Sequence, residues 1–190
     1  KGTLLLSKVR PGETLDVLGP LGNSFQEAGT APNLLLVGGG VGIPPLHLLA
    51  KRRCMEGTEG LSITFLCGLV NITERVLAQR LEKLPITLLY STDNGTLGHH
   101  GMVTDLLERQ LAEYNADSKP LVCACGPVGM LKVVQRICRQ QQVRCFLSLE
   151  SIMPCGLGAC LGCVVGKAVG EGYYRVCREG PVFPAEEVKL

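Results

Sequence analysis

Residues Asn33–Arg52 read NLLLVGGGVGIPPLHLLAKR. Leu34–Val37 is a continuous apolar run. A strand covered on both faces takes that form, because neither side of it meets water. Gly38, Gly39, Gly40 and Gly42 follow, and from about Pro44 to Met55 the apolar residues recur at helical spacing. Glycines between a strand and a helix let the backbone approach a ligand, and the helix N-terminus offers unpaired N–H groups to a phosphate. Pro44 and Pro45 depart from the usual G-x-G-x-x-G form. A tight turn without a ligand is therefore the rival reading of this loop taken alone.

Outward from this stretch the alternation continues. Strands are expected at Ser62–Cys67, Ile86–Ser91, Leu121–Ala124 and Arg144–Leu149, and helices at Glu74–Leu84, Met102–Glu113 and Val128–Gln140. Five strands alternating with four helices predict an α/β fold, an open five-stranded parallel sheet with helices on both faces. Ligands of such sheets bind at the carboxyl ends of the strands. Three loops fall on that edge: Gly38–Gly42, CGPVGM at Cys125–Met130, and STDNGTLGHHG at Ser91–Gly101. Together they predict one dinucleotide-sized site. The pair His99–His100 reads as part of a solvated loop, since no carboxylate pattern surrounds it. After the second strand the chain reads GLVNITER, with Arg75 the one nearby cation. The sequence leans to NAD over NADP and leaves open whether Arg75 faces a ribose phosphate.

The flanks differ from this middle. Residues 1–26 carry strand-like fragments at Thr3–Leu6 and Thr14–Leu18 between Pro-Gly and Gly-Pro turns, as the end of an all-β unit would. The last forty residues are rich in Gly and Cys, with short strands expected at Cys163–Lys167 and Tyr173–Val176. Three units are expected: 1–30, 31–150 and 151–190. The 190 residues are 46% hydrophobic, with a net charge of +2 and no basic run. A packed core is expected, and nucleic acid and membrane surfaces are poor partners. No apolar run reaches membrane-spanning length. The first residues lack a signal-peptide pattern, and the chain, which does not begin with Met, reads as a piece of a longer protein.

Of ten cysteines, Cys54, Cys67, Cys123, Cys125, Cys138 and Cys145 are scattered through the expected elements and read as small core residues. Cys155, Cys160, Cys163 and Cys177 form a spaced set, C-x4-C-x2-C and then a fourth after thirteen residues. This matches the plant-type [2Fe–2S] order. Zinc ribbons usually pair two C-x2-C knuckles, and only one is present. Gly156, Gly158, Ala159 and Gly162 leave room for backbone N–H groups around bridging sulfide. Zinc and disulfides remain the alternatives, and the compartment reads as reducing, hence cytoplasmic. A nucleotide fold beside a one-electron cluster implies electron transfer, with a flavin to convert hydride into single electrons.

The chain resembles the electron-transfer subunit of class 1B dihydroorotate dehydrogenase, within the ferredoxin-reductase superfamily. The resemblance runs over nearly all residues. It rests on Lys1–Thr3, LDVLGPLGNSF at Leu15–Phe25, VGGGVGIPPL at Val37–Leu46, STDNGTLGHHGMVTDLL at Ser91–Leu107, CGPVGML at Cys125–Leu131, SLESIMPCGLGACLGCVVG at Ser148–Gly166 and VCREGPVFPAEEV at Val176–Val188. It implies that 1–30 is the end of an FAD-binding β-barrel, 31–150 an NAD-binding domain and 151–190 a cluster domain. Gly2 and Thr3 match a flavin contact; the family's main flavin motif lies upstream of such a chain. The implied nucleotide residues are Gly38, Gly39, Gly40, Gly42, Pro44, Thr92, Asp93, Cys125, Gly126 and Pro127. The implied cluster ligands are Cys155, Cys160, Cys163 and Cys177. The implied partner is an FMN-containing catalytic subunit in a heterotetramer of pyrimidine biosynthesis, its electrons running through [2Fe–2S] and FAD to NAD. No side chain reads as an acid–base catalyst, since the cofactors carry the chemistry. A small subunit of a related NAD(P)H-dependent ferredoxin or sulfide reductase is the enzyme alternative. A zinc-stabilised nucleotide-binding module is the non-enzyme one.

Overall fold

The computed structural model describes residues 2–115 and 118–190; Lys1 of the Lys1–Thr3 match lies outside them. The central strand β1, Asn33–Gly39, is fully buried after its first residue. Alternate side chains serve opposite faces. Leu34 and Leu36 join the core beneath helix α2, Ile43–Met55, and Leu35 and Val37 join the core beneath α3, Val103–Ala112, and α4, Val128–Gln140. A layer on each side is the reason that the run is continuously apolar.

The five expected strands form as β1, β2 (Ser62–Leu69), β3 (Thr87–Thr92), β5 (Leu121–Cys125) and β6 (Cys145–Ser148), all parallel to their neighbours. With β4 (His99–His100) and β9 (Val182–Pro184) the sheet is seven-stranded, not five-stranded, in the order β4-β3-β2-β1-β5-β6-β9. Its added edges are β4, parallel to β3, and β9, antiparallel to β6. Both are too short to leave a periodic signal. By pairing with β6, β9 covers an edge that would otherwise present free N–H and C=O groups.

Two expectations fail in local structure. Glu74–Leu84 is not an α-helix but two 3-10 turns, Ile72–Leu77 and Leu81–Lys83. Asn71 Oδ1 accepts the Thr73 N–H at 2.8 Å, and Glu74 Oε2 accepts the Val70 N–H at 2.9 Å. Side chains thus satisfy the amides that a helix would otherwise use, and the turn tightens. The strands expected at Thr3–Leu6 and Thr14–Leu18 are also not formed. Gly2–Leu6 is a short helix, α1, and 14–18 has no ladder partner. A lone strand without a sheet edge has nothing to bond to. This segment is exposed as far as Asn23 and is fastened there. The Asn23 side chain donates to the Glu179 and Val182 carbonyls at 2.9 and 2.8 Å and accepts the Val182 N–H at 2.9 Å.

The C-terminal residues add a three-stranded antiparallel sheet, β10-β7-β8, from β7 (Val164–Lys167), β8 (Tyr173–Arg175) and β10 (Val188–Lys189). It is not closed on itself. Cys163, Val176, Cys177 and Val188 belong to the same apolar cluster as Val122 and Leu131. Gln135 on α4 donates to the Ala185 and Val188 carbonyls at 2.6 and 2.8 Å. Among the described residues, no helix is long and apolar enough to cross a membrane.

Candidate nucleotide cavity and cysteine loop

A cavity of about 510 Å³ opens at the carboxyl ends of β1, β2, β3 and β5. Of the residues expected at a nucleotide site, Gly39, Gly40, Asp93 and Pro127 line it. Gly40 sits at φ +51, and a Cβ at Gly39 would stand 2.7 Å from Met130 Sδ. Only a residue without a side chain fits this wall. Gly38 and Gly42 serve packing. A Cβ at Gly38 would meet Ile43 Cγ1 at 3.0 Å and Phe65 Cε1 at 3.1 Å, and one at Gly42 would overlap the Cys125 carbonyl. Gly42 is therefore where the first glycine loop touches the second. Pro44 is exposed in the first turn of α2 and does not line the cavity.

Thr92 does not face the cavity either. It is fully buried, and its hydroxyl donates to the Leu97 carbonyl at 2.9 Å and accepts the Leu97 N–H at 3.1 Å. It shapes the turn, while its neighbours Ser91 and Asp93 line the cavity, as the two-residue period of a strand requires. Ser91 was missed from the sequence. Its hydroxyl is buried and, among the described residues, has no hydrogen-bond partner, an orphan polar group that a bound ligand would satisfy. Glu74 was missed too, because a helix was expected there.

The expected solvated histidine loop is also different. His99 is partly buried, with Nε2 3.1 Å from Asp105 Oδ2 and Nδ1 3.5 Å from Arg109 Nη1. It pins the start of α3, and neither histidine lines the cavity.

A second cavity, about 500 Å³, lies beyond Pro127 and is bounded by Gly126, Val128, Glu150, Ser151 and Ile152. It runs from the second glycine loop to the chain entering the cysteine loop. Cys125, half-buried at the end of β5, has its thiol pushed up by burial, partly offset by a hydrogen bond with Ser148. Gly2 and Thr3 are exposed in α1, and neither lines either cavity.

The four spaced cysteines come together in two pairs. The Cys177 N–H lies 3.5 Å from Cys163 Sγ, and the Cys155 thiol lies beside the Cys160 backbone N–H and thiol. Cys163 and Cys177 are 2% and 3% exposed, whereas Cys160 is exposed and Cys155 half-buried. The Cys155 thiol is lowered to about 6, first by the Cys160 backbone N–H, then by that of Leu157 and by the Cys160 thiol. The Leu157 N–H lies 3.4 Å from Cys155 Sγ, and the Gly162 N–H 3.4 Å from Cys160 Sγ. Gly156 and Gly158 at φ +69 and +77, with Leu161 at φ 56, curl the loop so that its amides face sulfur. The Cys177 thiol is raised by its bond to Cys163 and by burial, and the Gly158 N–H opposes this. Arg175, paired with Glu179, braces the loop by donating to the Gly158 carbonyl at 3.1 Å. All ten cysteines are free thiols, so no disulfide framework exists.

Among the described residues, no three His, Cys, Asp or Glu side chains converge as one metal ion would need. Two thiol pairs suit two irons, each taking two thiolates, better than a single tetrahedral zinc. The donors are soft and receive backbone N–H groups, and the loop leaves them room.

The sheet edge and the thiol pairs define a nucleotide-linked iron–sulfur oxidoreductase, and the comparisons with known proteins agree. The family described as oxidoreductase NAD-binding domain matches residues 36–136, and the iron–sulfur cluster binding domain of dihydroorotate dehydrogenase B matches residues 150–189. The electron transfer subunit of dihydroorotate dehydrogenase B (NAD(+)) from Geobacillus sp. (strain WCH70) is 42% identical, over 100% of this chain and 70% of that protein. The subunit of the same name from Caldanaerobacter subterraneus subsp. tengcongensis is 40% identical, over 99% of this chain and 71% of that protein. The chain belongs to the family of dihydroorotate dehydrogenase B electron transfer subunits. Among solved structures, that of an NADH-dependent reduced ferredoxin-NADP oxidoreductase superposes with a TM-score of 0.81 at 34% identity, over all of this chain and 65% of that one. The CS-b5R domains of human Ncb5or share the fold at 15% identity and a TM-score of 0.55, over 75% of this chain and 44% of that one.

Proposed function

We propose that this chain is the electron transfer subunit of a dihydroorotate dehydrogenase of the NAD-linked type, working with a separate catalytic subunit. The observation that carries the reading is adjacency. Pro127 lines both the nucleotide cavity and the second cavity, whose other wall, Glu150–Ile152, is the chain entering the cysteine loop. NAD(H) is the nucleotide, and [2Fe–2S] and FAD are the cofactors. When bound, the cluster exchanges single electrons, and the flavin converts these to the two-electron hydride of nicotinamide.

The chain's own residues hold and orient. Gly39 and Gly40 keep the cavity wall free of side chains, and Gly42 lets the two loops touch. Cys155 and Cys160 would hold one iron and Cys163 and Cys177 the other. Gly2 and Thr3 are proposed flavin contacts on resemblance alone, with residues 1–30 as the end of a flavin barrel. Residues 31–150 and 151–190 are proposed as the nucleotide and cluster units. The catalytic partner is proposed to carry FMN in a cytoplasmic heterotetramer. No residue here is proposed as an acid–base catalyst.

Mixing this protein, loaded with cluster and FAD, with the catalytic subunit should give dihydroorotate-dependent NAD+ reduction, followed as NADH absorbance. Neither protein alone should do so, and turnover by this chain alone would overturn the assignment. The ferredoxin-linked reading gains support from the 34% identity to the NADH-dependent reduced ferredoxin-NADP oxidoreductase. It predicts NADH oxidation with ferredoxin and none with the dihydroorotate partner.

A further inference from the structure

We propose that Glu74 selects a nucleotide whose adenosine ribose carries a free 2′-hydroxyl and rejects its 2′-phosphorylated counterpart. The proposal rests on the reading of the cavity as a dinucleotide site. It begins with direction. The cysteine loop and the second cavity lie on the side of β6 and β9, beyond the Cys125–Pro127 loop. The reacting end of a dinucleotide must face the flavin, and the proposed flavin unit is fastened on that same side, by Asn23 to Glu179 and Val182. The adenosine end of the dinucleotide then falls at the opposite side, on the ends of β2 and β3, where Glu74, Ser91 and Asp93 line the wall.

Glu74 is fixed for a reader's role. Its Oε2 accepts the Val70 N–H at 2.9 Å, and the turn that carries it is capped by Asn71. Among the described residues, Oε1 has no protein partner. Ser91 on the same wall is 1% exposed, and among the described residues its hydroxyl is unpartnered. A 2′-hydroxyl both donates and accepts, so it can serve a carboxylate oxygen and a serine hydroxyl together. A 2′-phosphate adds about −1.5 to −2 charge at pH 7 and would meet the carboxylates of Glu74 and Asp93.

The cation that would reverse this preference is committed elsewhere. Arg75 follows Glu74 directly, but its Nε and Nη2 lie 2.7 and 3.1 Å from the Glu82 carboxylate. Glu82 also accepts the Tyr90 hydroxyl at 2.7 Å, so the three groups form one network. Among the described residues, no lysine or arginine lines the cavity. The choice between the two nucleotides is thus written in a pair of adjacent side chains, one facing the cavity and one turned from it.

The test is calorimetric titration of the whole chain with ADP-ribose and with 2′-phospho-ADP-ribose, which report the adenosine end without the redox centres. The expected preference for ADP-ribose is on the order of 100-fold, the scale at which buried polar groups left unpaired and like charges brought together discriminate ligands. Glu74→Gln keeps an acceptor for the Val70 N–H and should cut that preference about tenfold, mainly by tighter binding of the phosphorylated probe. Glu74→Ala should do the same if the glutamine variant proves unstable. Ser91→Ala should weaken ADP-ribose roughly fivefold. Equal binding of both probes by the unmodified protein overturns the proposal, as does a preference unchanged in both Glu74 variants. Binding of neither probe overturns the nucleotide reading itself.

Discussion

Leu34, Leu35, Leu36 and Val37 have no exposed surface, whereas in the loop from Pro154 to Cys163 only Gly156, Gly158 and Cys163 are buried. The sheet is held by apolar area removed from water, and its glycine loops are set by that packing. The cysteine loop has almost no apolar area of its own. It is held by hydrogen bonds to sulfur, by the Arg175 brace and by the anchoring of Cys163 and Cys177 in the shared core. A region of the first kind is complete without its ligand. A region of the second kind is completed by it, because metal binding to such a site is part of the folding free energy.

The largest expected effect comes from breaking the second region alone. Cys160→Ala removes an exposed thiol, so little packing is lost. Iron and acid-labile sulfide should fall at least about tenfold, since one of four thiolates is gone. ADP-ribose binding should be unchanged. Loss of both properties together would mean that the two regions are not independent.

Leu36→Ala strikes the first region. It should cost about 2–5 kcal/mol in urea unfolding, as fully buried leucines do. Smaller again is the effect at the seam of the two glycine loops. Gly42→Ala would push a Cβ into the Cys125 carbonyl, and should cost about 1–3 kcal/mol and weaken ADP-ribose binding. Gly129 in α4 has open space around it, so Gly129→Ala should not destabilise the protein. Equal effects at these two glycines would contradict the account of the seam. Below the Gly42 effect comes that at Asn23. Asn23→Ala should cost about 1 kcal/mol and speed hydrogen exchange at the Val182 amide, whose acceptor it removes.

The same contrast explains what could be read from the sequence. Leu34–Val37 and the helix at Val128–Gln140 are strong local signals, and the structure places each where the pattern implied. The failures lie where a distant partner decides. The strand Val182–Pro184 exists because β6 offers an edge, and nothing in three residues announces it. The turn at Ile72–Leu77 has helical composition, but Asn71 and Glu74 bond their own backbone. Ser91 and Asp93 line the cavity and Thr92 does not, since a shift of one residue in a strand exchanges the two faces. The pairing of the thiols, and hence the preference for two metal centres over one, is visible only once the chain from Cys163 to Cys177 has folded back.

The most direct test of the central claim is the metal content of the protein after anaerobic assembly with iron and sulfide. Two pairs of thiols predict about two irons and about two acid-labile sulfides per chain. One zinc or iron without sulfide would contradict it.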